Sequence, residues 1–196
     1  MPLNFAVPPQ PVTDATRNAL LSMAQQRQFK IPALAAAQPN QIDITSVHAV
    51  YNIGLEDIVR GVALADLPLT AWRYIVRSGT SGVAAAESHS DPHGGPQFDS
   101  VNSGPFVSGT LAAIDALSSD PAIVSGNWQA SVIRIPALYI LAIWAHDQIG
   151  GTDIIRVIAP APPYLDPAKS YSWADFLAAV RAPAQVRLAF DDQPKR

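Results

Sequence analysis

The sequence predicts an α+β fold: a mostly antiparallel sheet built from hairpins, with three main helices packed against it. Three observations carry this. Thr70–Arg77 and Trp128–Ile135 alternate with the two-residue period of strands. Ser78-Gly-Thr-Ser-Gly82 and Gly150-Gly151 lie between strand-like runs, where tight turns need the positive φ that glycine adopts freely. Helical stripes are confined to three long segments, and helices grouped against antiparallel strands define the α+β class.

The elements follow in order. Residues 1–12 are read as an extended arm, after which Thr13 or Asp14 caps a helix to about Phe29 with Val12, Thr16, Ala19, Leu20 and Met23 as its stripe. Ser46–Ile53 reads as a strand, and Gly54 turns the chain into a short helix, Leu55–Arg60. In the next hairpin Trp72, Tyr74 and Val76 alternate with Arg73, Ile75 and Arg77, and Val83–Ser88 is the return strand. Residues 89–104 lack a hydrophobic period and are expected to form a long loop, of the kind that is commonly functional or mobile.

Pro105 suits the first turn of a helix to about Ser119, ended by Asp120-Pro121. Trp128–Ile135 is a strand that Pro136 interrupts. The most apolar tract, Tyr139 to Ala159, reads as a hairpin whose centre is apolar on both faces, as a strand covered on both sides requires. Ser172-Trp-Ala-Asp175 resembles a capping box opening a helix that Pro183 breaks or kinks, and 191–196 is a tail. The hairpins Trp72–Ser88 and Tyr139–Ala159 are candidates for two halves of a distant duplication.

A length of 196 residues suits one domain over 1–196. Only 15% of residues are charged against 48% hydrophobic, so surface repulsion is weak and an oligomer, a homodimer, is expected. The net charge of −3, with Lys and Arg scattered, offers no field for nucleic acid. No cysteine is present, which excludes disulfides and thiolate metal sites. Ile135–Ala145 is shorter than the roughly 20 apolar residues that a membrane helix needs, and the first residues lack a secretory pattern. A cytoplasmic location without membrane association is the expectation.

Several constellations bear on chemistry. His89, Asp91 and His93, spaced two apart, share one side of an extended segment and suit a zinc site with an open position; the plain alternative is a polar loop. His146-Asp147 ends an apolar strand, a position from which a general base can emerge, but no nucleophile is assignable to it. Glu56 and Asp57 point about 100° apart on a helix and read as helix-start acids. Neither Ser81 nor Ser108 fits a nucleophile elbow, and no phosphate-cradling glycine motif occurs.

What is left is recognition. Trp72, Tyr74 and Trp128 combine area with a polar handle, and Arg73, Arg77 and Arg134 lie beside them, so an aromatic-lined sheet edge accepting an extended segment is expected. Val50-Tyr-Asn-Ile-Gly-Leu-Glu-Asp-Ile58, and Ile135-Pro-Ala-Leu-Tyr139 followed by Ala159-Pro-Ala-Pro-Pro163, resemble uncharacterised bacterial proteins and the peptide-binding accessory proteins of crocagin-type ribosomal peptide pathways. The resemblance spans about a fifth of the chain, its motifs are structural, and it implies peptide binding without placing a site residue. The sequence reading is therefore a non-catalytic, cofactor-free protein that binds a peptide or protein segment, with a metal-dependent hydrolase using His89, Asp91 and His93 as its rival.

Overall fold

The computed structural model describes residues 3–91 and 93–191. Nine strands form one sheet: β1 (Leu3–Phe5), β2 (Ile42–Asn52), β3 (Leu69–Ser78), β4 (Ser81–Asp91), β5 (Gly95–Asn102), β6 (Trp128–Ile135), β7 (Ile140–Asp147), β8 (Asp153–Val157) and β9 (Ser170–Tyr171). Among the described residues six α-helices accompany them: α1 (Gln10–Gln25), α2 (Pro32–Ala35), α3 (Leu55–Arg60), α4 (Pro105–Ser118), α5 (Pro121–Val124) and α6 (Trp173–Asp191). The α+β class and its mostly antiparallel sheet are as the sequence predicts.

The strand order is β5-β4-β3-β2-β6-β7-β8-β9, with β1 also pairing β6. Each half is an antiparallel meander, and the two meet first strand to first strand through the parallel β2–β6 pair, where Val50 faces Val132. Helices cover both faces. On one, α1 and α2 pack over the β2–β5 half around Tyr74, and α3 and α6 over the β6–β8 half around Ile133 and Phe176. On the other, α4 crosses both halves, burying Leu117 against Val132 and Ile143, and Val107 and Leu111 against Ile75 and Ala85. Gly109 makes the crossing possible, because a Cβ there would lie 2.0 Å from the Ala159 carbonyl oxygen.

Several boundaries differ from the sequence reading. Residues 89–104 are not a loop: β4 continues to Asp91 and β5 begins at Gly95, closing a hairpin. A bulge at Asp99 shifts the alternation, so Phe98 and Val101 both reach the α1 face, and this offset hides the period. The expected arm contains β1, and α1 starts at Gln10 because Pro11 suits a first helical turn. Pro183 neither breaks nor ends α6, which runs to Asp191 after the Asp175 N–H donates to Ser172 Oγ, half of the predicted capping box, while the Ser172 hydroxyl donates to the Asp175 carboxylate. Beyond Asp191 the expected tail lies outside the described residues.

Candidate functional site

The alternation in β3 sends Trp72, Tyr74 and Val76 to the α1 face and Arg73, Ile75 and Arg77 to the α4 face. Antiparallel register then sets Arg73 opposite His48 on β2 and Glu87 on β4, while the parallel pair sets Asn52 opposite Arg134 on β6. Side chains facing one another across strands interact directly. Four strands thus deliver a row of polar groups to the α4 side of the sheet.

Glu87 joins the row. One carboxylate oxygen accepts from Arg73 Nη1 at 3.0 Å and the other from Arg134 Nη1 at 2.9 Å, while Arg134 Nε donates to Asn52 Oδ1 at 2.9 Å. Arg73 is 8% exposed and its Nε has no partner among the described residues. Burial pulls its pKa below the usual guanidinium value and Glu87 opposes that, so the charge is retained. His48 is fully buried against Phe5, ring centroids 5.1 Å apart, with no well-formed hydrogen bond at either nitrogen, although the Arg73 backbone lies close enough to oppose the loss of the proton in part. Burial first, then the neighbouring Arg73, lower its pKa from 6.5 to about 3, which keeps it neutral at physiological pH.

A cavity of about 260 Å³ opens over this row. Its inner wall holds Arg73, Glu87, Arg134, Val107 and Leu141, and its rim is the exposed run Asn102–Pro105 where β5 passes into α4. The start of α4 has no side-chain cap: Gly104 is the N-cap at φ 130°, a conformation other residues rarely adopt, and Pro105 has no N–H. Two arginines, one carboxylate and the positive end of a helix dipole therefore share one small space.

Of the residues singled out from sequence, Arg73 and Arg134 meet here. The aromatic ones do not line an edge. Trp72, Tyr74 and Trp128 are 8%, 0% and 4% exposed, packed under α1 or α5, and Trp128 Nε1 donates to the Ala122 carbonyl. Their expected part in a recognition surface is thereby corrected: both sheet faces carry helices, so alternation separates two interiors and not an interior from water. Arg77 lies at the far end of β3, bonded to the Thr80 carbonyl.

His89, Asp91 and His93 do not converge. His89 Nδ1 sits 2.8 Å from Asp99, and Asp91 accepts the His93 and Gly94 backbone N–H groups, which holds its carboxyl below the usual range. Those bonds close the β4–β5 turn. Among the described residues no group of three or more His, Asp or Glu side chains is placed to hold a metal. His146 pairs with Asp153, at 2.8 Å, and not with Asp147, which caps its own turn through the Ile149 N–H. Trp144 Nε1 donates to the same Asp153 oxygen, and among the described residues no hydroxyl is bonded to either imidazole pair.

Sequence reasoning missed Glu87, Asn52, His48 and Gly104. The signal for Glu87 was partial: a regular hairpin turning at Gly79-Thr80 would set it opposite Trp72, and the bulge at Val83 shifts it opposite Arg73. Asn52 and Arg134 come from different halves and had none. Among the described residues no helix is long and apolar enough to cross a membrane. Comparison with family models, curated proteins and solved structures finds no match to this chain.

Proposed function

We propose that this is a non-catalytic accessory protein of the cytoplasm that holds an extended peptide or protein segment by strand addition to β5. The observation that carries the reading is the end of the sheet. β5 is eight residues long and pairs with β4 alone, and among the described residues no backbone hydrogen bond from it reaches another element. The opposite end is the two-residue β9. An open edge of this length offers alternate N–H and C=O groups to an incoming strand. Pro96 and Asp99, both exposed, discourage indiscriminate pairing along it.

Specificity comes from side chains beside the edge, with Arg73 and Arg134 the candidates that reach a cavity. The segments resembling crocagin-type accessory proteins favour a bacterial precursor peptide as the ligand and peptide natural-product biosynthesis as the setting. A second copy of the chain is the competing occupant, giving a homodimer through the same edge.

Hydrogen exchange of the protein with and without peptides encoded beside its gene tests the proposal. Slower exchange at 95–102 on peptide addition is the expected result. Binding that leaves β5 exchange unchanged, or no binding by any such peptide, refutes it. Concentration-dependent protection of the same residues without peptide identifies the dimer.

A further inference from the structure

We infer that the cavity under α4 is a carboxylate site that receives the C-terminal end of the bound peptide. This inference rests on the strand-addition reading for the path of the chain, but the site itself stands on separate observations.

The first is charge. Arg73 and Arg134 carry two positive charges and Glu87 one negative, so the ion network is one anion short of neutrality. His48, the titratable group facing Arg73 from β2, is neutral and supplies nothing. A charge excess costs little at a wet surface, but Arg73 is nine-tenths buried, where an unbalanced charge is costly.

The second observation is unused donors. The Arg73 and Arg134 side chains line the cavity, and Arg73 Nη2 and Arg134 Nη2 donate to nothing among the described residues, whereas Arg73 Nε is sealed within the protein. The start of α4 lies in the same wall, with no side chain accepting from its first turn. Guanidinium N–H groups in a planar fork and a free helix-start N–H suit two oxygens fixed in one plane.

The third is size. About 260 Å³ is below the usual range for a site that encloses a whole small ligand, and suits the end group of something longer. Apolar Phe106, Val107 and Leu141 complete the lining and can receive a terminal side chain. Because the cavity opens at Asn102–Pro105, after the last residue of β5, a segment lying on that edge with its carboxylate in the cavity runs parallel to β5.

The test uses N-acetylated trivaline with a free carboxylate, its C-terminal amide, and a free acid in which alternate backbone nitrogens are methylated. Each is titrated into the ¹⁵N-labelled full chain, following the Arg73 Nε–H and Phe106 N–H resonances. The free acid should shift both saturably, and the amide should bind at least about tenfold more weakly, as loss of a charge-assisted bond requires. Glu87→Gln removes the resident negative charge, its amide oxygen can accept from only one of the two arginines, and it should tighten the free acid about tenfold. Equal binding of acid and amide, or shifts confined to other residues, overturns the carboxylate site. If the methylated acid binds as well as the free acid, the cavity site stands and strand addition fails. If acid and amide both slow exchange in β5 equally, strand addition stands and the cavity site fails.

Discussion

Acid should destabilise this protein through His48. The unfolded chain takes up a proton on this imidazole near pH 6.5, whereas the folded protein does so only near pH 3. Between those values the unfolded state holds the extra proton, so stability rises with pH across the window. The contribution is whole above pH 6.5 and is lost as pH falls toward 3. Each pH unit is worth about 1.4 kcal/mol, and the full window about 4 to 5 kcal/mol as an upper bound. The perturbation that isolates this is His48→Leu. Neither ring nitrogen has a well-formed hydrogen bond to lose, though a polar approach to the Arg73 backbone is given up, and leucine is close in volume and suits the contact with Phe5.

Urea unfolding of both proteins at steps from about pH 7.5 to 4.5 measures the difference. Carboxylates protonate alike in both, so the gap between the curves reports the imidazole. We expect the variant to match or exceed the wild type at neutral pH, and the gap in its favour to widen by about 2 to 3 kcal/mol between pH 6.5 and 4.5. Parallel curves would mean that His48 is hydrated or paired in solution, and the reasoning about the buried row would fail with them.

Three other predictions follow from packing. Glu87→Ala strands Arg73 in a site where its side chain is 9% exposed, and chemical denaturation should register a loss of about 3 to 5 kcal/mol. Replacing the pair together, Arg73→Met with Glu87→Leu, should recover much of that loss. Gly109→Ala forces α4 away from the Ala159 carbonyl and should lower stability by at least about 1 to 3 kcal/mol in a thermal melt. Tyr74→Ala empties a fully buried site and should cost about 3 to 5 kcal/mol, whereas Arg77→Ala, at the end of the same strand, should stay within about 0.5 kcal/mol.

Much of the fold was legible because local chemistry decided it. Leu55–Arg60 forms between Gly54 and Gly61, Pro105 opens α4, and Ser172 caps α6, each through residues adjacent in sequence. The β3–β4 hairpin follows from alternation and a glycine turn, and the β7–β8 hairpin from a continuous apolar tract interrupted at Gly150-Gly151. What failed was non-local. β1 is three residues long and exists because β6 offers its edge at Trp128–Ala130, which nothing in Leu3–Phe5 announces. β5 was hidden by the Asp99 bulge. For the site, the arginines were legible as residues and not as a pair, because β3 and β6 approach through β2 and the parallel junction.

The aromatic residues show why surface and core were exchanged. Alternation divides Trp72 from Arg73 correctly, but reading the aromatic side as a ligand surface assumes that this side is open. Here α1 closes the aromatic side and α4 closes much of the charged one. The space beneath α4 is then built in two ways within a few residues. Ile75, Ala85, Val107 and Leu111 fill one part with apolar contacts. Arg73, Glu87 and Arg134 occupy the next part with ions, although the neighbouring positions demonstrate that the same strands and helix accept an apolar filling. Replacing a buried ionic set by packed apolar groups is commonly neutral or stabilising, so the ions are a poor solution for stability alone. Their place beside an uncapped helix start and an open strand edge is where a ligand with its own negative charge would make that arrangement favourable.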